Sequence, residues 1–245
     1  MEVASPPPPS PQRRPLSVGG VINDALDLYG RHVATLLGAA LVIFVVAGIV
    51  QGLLRETDSL ILSTLGTIVS LIASTLFTGF VVSLVSDVRD GRRDFAVGEL
   101  VRSSADAIPR LIVNGLLLGL GVFIGFLLLI VPGLYLLTIW SVTAPAIVVE
   151  RRGAIEAFGR SHELVRGNGW TVFGAILVAF LILVGLAIVA AIIGAAIADL
   201  AGAITLSIVV NVIAAPFAAL VSSVLFFELR GEEAALAPPP ATATA

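Results

Sequence analysis

Two stretches of this chain carry almost no charge for longer than a bilayer is thick. From Leu111 to Val149 there is none, and from Trp170 to Phe227 the single ionisable side chain is Asp199. A helix needs roughly 20 apolar residues, at about 1.5 Å each, to cross the hydrocarbon of a membrane. Each stretch is therefore long enough for two crossings. Pro132-Gly133 stands in the middle of the first, as a turn signal for a tight helical hairpin, and Asp199 stands near the middle of the second. Two further uncharged runs lie upstream. Residues 33–54 end at Arg55, Glu56 and Asp58. Residues 59–86 are rich in Ser and Thr and end at the cluster from Asp87 to Asp94.

The spacing predicts an all-α fold, a membrane bundle of six transmembrane helices at about 33–54, 59–86, 111–131, 134–149, 170–197 and 202–227, within a membrane domain of residues 17–230. Pro145 is expected to kink the fourth helix. For the 111–149 hairpin a re-entrant course that stops short of the far side stays open. Composition agrees with lipid as the solvent: 58% of the 245 residues are hydrophobic and 13% charged, where a soluble domain has about 25% charged residues. The proline-rich residues 1–16 and the Pro/Ala-rich residues 231–245 are expected to be disordered tails. No cleavable signal peptide is visible, so the first crossing is expected to serve as an uncleaved signal.

Arginine sets the orientation. The chain has no lysine and 14 basic residues. With the N-terminus inside, Arg13, Arg14, Arg31, Arg89, Arg92, Arg93, Arg102, Arg110, Arg151, Arg152, Arg160, Arg166 and Arg230 fall on the inner side, and Arg55 on the outer. The positive-inside rule then places both termini in the cytoplasm of a multi-pass protein of the cell membrane.

Three inner segments have the i, i+3, i+4, i+7 periodicity of amphipathic helices. In 17–32 the stripe is Val18, Val21, Ile22, Ala25, Leu28 and Tyr29. In 95–109 it is Val97, Leu100, Val101 and Ile108. In 153–166 it is Ala154, Ile155, Phe158, His162 and Val165. Each precedes two crossings, so the chain reads as a threefold repeat of amphipathic helix, crossing, crossing. Two readings of these helices stay open. They lie on an anionic inner leaflet, which attracts basic segments, or they are connectors packed under the bundle.

Catalytic constellations do not emerge. Ser161, His162 and Glu163 are sequential on a helix and point in different directions, whereas a nucleophile and its base must converge. His162-Glu163 lacks the second histidine of a zinc motif, and cysteine is absent. Gly115, Gly119, Gly121 and Gly125 have the spacing of close helix packing. The chain is expected to be no enzyme, to need no cofactor or metal and, at a net charge of −3, to bind no nucleic acid. Polar side chains that reach into the crossings are neutral: Asn114, Asn211 and the second-helix face with Ser70 and Ser74. They are candidates for a polar cavity, with interhelical hydrogen bonding as the plainer role. Buried charges of the kind that mark ion or proton routes are missing. Glu150 and Arg160 are candidates for an ion pair that locks the third amphipathic helix, and Trp170 for an interfacial anchor.

The order Pro132-Gly133, Trp140, Pro145, Glu150, Ala157, Arg160-Ser161, Leu164, Gly167 and Trp170, together with VINDALDLYGRHVATLLGAALV near the N-terminus, resembles the membrane domain associated with bacterial and archaeal glycerophosphodiester phosphodiesterases and its stand-alone relatives of unknown function. The resemblance implies a six-helix module. The phosphodiesterase reaction belongs to a separate barrel domain with histidine and acidic metal ligands, and no such histidine cluster occurs here. The expected function is a non-catalytic membrane module engaging membrane lipids, anionic ones at the inner leaflet, or a membrane-protein partner or a second copy of itself. The alternative is a transporter or channel for a small molecule or lipid.

Overall fold

The computed structural model describes residues 16–55, 60–90, 107–196 and 200–236. Every regular element among these residues is a helix. The 95–106 part of the second amphipathic segment, the charged cluster after Asp90, Asp199 and most of both tails lie outside the described residues.

Helix α1 (Val18–Arg31) opens on Ser17, whose Oγ accepts from Gly20 N at 3.1 Å. Its apolar stripe is covered by protein: Val21, Ile22 and Ala25 are buried in the core. Leu16 N donates to Glu232 Oε1 at 3.0 Å and Tyr29 Oη to the Ile213 carbonyl at 3.1 Å. The helix thus runs along the last crossing, and for this segment the connector reading holds over the lipid-surface one.

Six helices are long and apolar enough to cross a membrane, and the protein is an all-α multi-pass membrane bundle. α2 (Val33–Arg55) pairs with α3 (Leu60–Arg89), and α4 (Ile108–Leu128) begins with Pro109 in its first turn, where a missing N–H costs nothing. α8 (Gly169–Ala196) pairs with α9 (Leu200–Leu236). α3 and α9 form the interior. Phe77, Phe80 and Leu84 on α3 pack with Leu220, Leu225 and Phe226 on α9 and are all but fully buried. By contrast only 6% of the apolar window of α8 is buried, so most of that helix faces lipid.

The region expected as one helix over 134–149 is two. α5 (Ile130–Ile139) and α6 (Thr143–Val149) flank a break at residues 140–142. The cause is Pro145. It has no N–H to offer the Ser141 carbonyl four residues back, and its ring crowds that carbonyl. Ser222 Oγ on α9 donates to it instead, at 2.7 Å. Ser161 Oγ donates to the Ile139 carbonyl at 2.7 Å and accepts from Val142 N at 3.3 Å. Neighbouring elements therefore supply the hydrogen bonds that apolar surroundings would otherwise withhold.

The hairpin turn also differs from expectation. The chain reverses at Leu129, which is extended (φ −166°, ψ 154°), and Pro132-Gly133 lies inside the first turn of α5. Proline is tolerated there because the first-turn N–H groups have no helical acceptor. Gly133 serves packing: a Cβ on it would stand 2.6 Å from the Phe126 ring. The tip, Leu127 to Val131, exposes five apolar side chains by 66–74%. Arg110 to Leu129 spans about 28 Å of helix, a length comparable to a hydrocarbon core of about 30 Å.

α7 (Glu156–Val165) buries Ala157, Ser161, Leu164 and Val165, while Ile155 and His162 of the expected stripe are exposed. The helix is rotated from the apolar reading because its inward face includes Arg160, 13% exposed and held by two carboxylates.

Candidate functional site

The functional side chains gather at the end of the bundle where α3 and α6 stop and α4 and α8 start. Arg160 on α7 is the centre. Its Nε and Nη2 donate to Glu150 Oε2 and Oε1 at 2.9 and 3.0 Å. Its Nη1 and Nη2 donate to Glu233 Oε1 and Oε2 at 2.7 and 2.6 Å. One guanidinium thus makes two two-pronged contacts, which its planar fork allows and an ammonium would not. The hydrogen bonds that Arg160 donates to Glu233, then those to Glu150, raise its pKa above the ordinary arginine range, so its charge is permanent. Glu150 is equally sheltered, at 13% exposure, and Arg152 Nε approaches it at 3.4 Å.

α9 supplies the other half. The expected tail from residue 231 is a correction: α9 continues to Leu236. Glu232 and Glu233 explain why, because each is held. Glu232 Oε2 accepts from Asn168 Nδ2 at 2.6 Å, and Glu232 Oε1 accepts from Leu16 N. One turn earlier, Arg89 at the end of α3 meets Glu228 at 2.7 Å and lies 5.2 Å over the Phe227 ring. Arg110 Nη1 donates to the Arg151 carbonyl at 2.9 Å, beside the positive φ of 54° that Arg151 adopts. Six elements are thereby tied at one end: α1, α3, α4, the turn after α6, α7 and α9.

The expected polar-cavity residues differ in burial. Asn114 is 2% exposed and its Nδ2 donates to the Ala154 carbonyl at 2.9 Å, which fastens α4 to the turn before α7. Asn211 and Ser74 are exposed and Ser70 is half-buried. The two described cavities are lined by other residues. Asn114→Leu is expected to leave the Ala154 carbonyl unpaired and to cost about 1–2 kcal/mol, read as a lower melting temperature in detergent micelles. An unchanged melting temperature would remove this tie from the account.

Ser161 is buried and occupied at the α5–α6 break, while His162 and Glu163 are exposed, so the three do not form a cluster. Trp170 is 87% exposed at the start of α8, edge-on to Phe173. Pro132 and Gly133 stay with the hairpin. Glu232, Glu233, Asn168 and Ser222 were not legible as site residues. The available signal was the helix-forming run EEAAL after Gly231. Arg151, Arg166 and Arg230 are exposed and form no salt bridge among the described residues.

Residues 32–220 match the signature of an uncharacterised protein family, UPF0259. Over 114 residues the chain is 32% identical to a UPF0259 membrane protein of Pectobacterium carotovorum. That alignment covers 46% of this chain and 45% of the relative, so the chain spans about half the length of the curated relative it matches. No solved structure matches. The glycerophosphodiester phosphodiesterase resemblance gains no support from these matches. Its elements, prolines, glycines, tryptophans and single charged residues in a loose order, are residue types that many membrane bundles use.

Proposed function

The chain belongs to the uncharacterised protein family UPF0259, and we propose that it is a non-catalytic module of the cell membrane that engages anionic phospholipid headgroups with its arginine-rich end at the cytoplasmic face. The carrying observation is a division of labour among the charges. Arg160, Arg89 and Arg152 pair with carboxylates of the chain itself. Arg151, Arg166 and Arg230 stand exposed at the same end, where headgroup phosphates would lie. Trp170 beside them has the placement of an interfacial anchor. Both termini on the cytoplasmic side follow from the arginine bias.

The test is retention of lipid by the full chain in native nanodiscs, read by mass spectrometry. Enrichment of anionic over zwitterionic phospholipid is expected. Arg→Gln at 151, 166 or 230 should weaken it about fivefold each, the equivalent of ~1 kcal/mol per basic residue at a membrane surface. Equal retention of both lipid classes contradicts the reading.

One observation favours a transporter as the second reading. The break at 140–142 interrupts a crossing, and the Ser141 hydroxyl inside it is buried without a hydrogen-bond partner among the described residues. Broken helices place polar groups at substrate sites in transporters. Co-purification of a small polar molecule that is lost in Ser141→Ala would move the assignment there.

A further inference from the structure

A groove of about 480 Å³ lies between α5 and α8, lined by Val131, Leu134, Tyr135, Thr138, Ile139, Gly169, Trp170 and Phe173. Its volume falls in the range of about 300–1,000 Å³ typical of ligand sites. Its walls are nearly all hydrocarbon or aromatic ring. The one hydroxyl deep in the wall, on Thr138, already donates to the Leu134 carbonyl at 2.8 Å and asks nothing of an occupant. Packing elsewhere in this region is tight: Gly125 and Gly133 bring α4 and α5 close enough that a Cβ on Gly125 would stand 2.9 Å from the Gly133 Cα. The groove is thus a local separation of helices, bounded on one side by the bend that Pro145 imposes and on the other by the start of α8.

We propose that this groove holds one acyl chain of an anionic phospholipid, with the headgroup at Arg166. This rests on the lipid-engaging reading above and names the place and the contact. Three observations select that occupant. Both walls belong to membrane-crossing helices, so the groove opens to hydrocarbon. Trp170, 87% exposed at the start of α8, gives the rim the amphipathic ring found at headgroup level. Arg166, exposed and without a salt bridge among the described residues, sits in the turn just before Gly169, and the positive φ of Gly167 (95°) shapes that turn. An apolar slot whose α8 wall begins three residues after an exposed cation fits a chain attached to a phosphate.

The experiment uses the full chain in vesicles containing an anionic phospholipid with a diazirine on one acyl chain. Photolabelled peptides are mapped by mass spectrometry. Labelling concentrated in residues 131–139 and 169–173 is the expected result. Leu134→Trp and, independently, Thr138→Phe fill the slot and should reduce it more than fivefold, while Ile188→Trp on the exposed face of α8 should leave it unchanged. Arg166→Gln should weaken competition by unlabelled anionic lipid about fivefold. Labelling spread evenly over α2, α4 and α8, or insensitive to both filling variants, overturns the groove. Because the position of the label does not depend on headgroup preference, that failure is distinct from equal retention of anionic and zwitterionic lipid, which defeats the broader reading.

Discussion

Arg160→Met is expected to destabilise the protein by about 3 kcal/mol, seen as a large loss of folded, monodisperse protein in detergent. The change leaves Glu150, 13% exposed, facing Glu233 with no cation between them. Breaking a buried pair by removing one partner costs about 3–5 kcal/mol. The lower figure applies because Glu233 is half exposed and solvent screens it. Arg160→Lys should recover only part of the loss, since an ammonium cannot make both two-pronged contacts. The triple change Arg160→Met, Glu150→Gln, Glu233→Gln should recover more, because no sheltered carboxylate is left without its cation and Arg152, half exposed, stays solvated. A fully stable Arg160→Met would mean that packing alone holds α7 and the end of α9.

Gly125→Leu is expected to disrupt the α4–α5 hairpin. Its Cβ would meet the Gly133 backbone at 2.9 Å and the Leu136 Cδ1 at 3.1 Å. Backbone cannot swing aside as the end of a side chain can, so the helices must part. Overpacking of this kind costs about 1–3 kcal/mol, and the upper end is expected here. Gly115→Ala and Gly119→Ala give the contrast. A Cβ at either position meets nothing within 4 Å, and each should shift stability by less than about 0.5 kcal/mol. Thermal melts of the three variants in one detergent check both halves. Equal effects at all three positions would show that the hairpin is held some other way.

The six crossings were legible because charge is excluded from them, and that exclusion is the same physics that makes a bilayer a solvent. The contact between Glu150 and Arg160 was legible too, because Glu150 closes an apolar run and Arg160 follows it on the next amphipathic helix. What escaped was whatever depends on a partner far away in the chain. Gly231 looked like the end of a helix, yet Asn168, Leu16 and Arg160 supply ligands to Glu232 and Glu233 and carry α9 past it. The inward face of α7 was misplaced for the same reason. Apolar periodicity selects Ile155 and His162, whereas ion pairing turns Arg160 and Ser161 inward. Pro145 announced a distortion but not its size. The outcome, two helices with a three-residue break, depends on hydroxyls from Ser161 and Ser222 being present to receive it. For Asn114 the plainer of the two expected roles, a hydrogen bond between elements, holds, but its acceptor 40 residues away carries no sequence signal.

The most direct test is side-specific labelling of the arginine-rich end. The chain contains no cysteine, so Arg151→Cys provides a single reporter in that end. A membrane-impermeant maleimide should fail to label it on intact cells and should label it in inside-out membrane vesicles. That result puts the ionic junction and its exposed arginines against the cytoplasmic leaflet. Labelling on intact cells would place this end outside and contradict the proposed function.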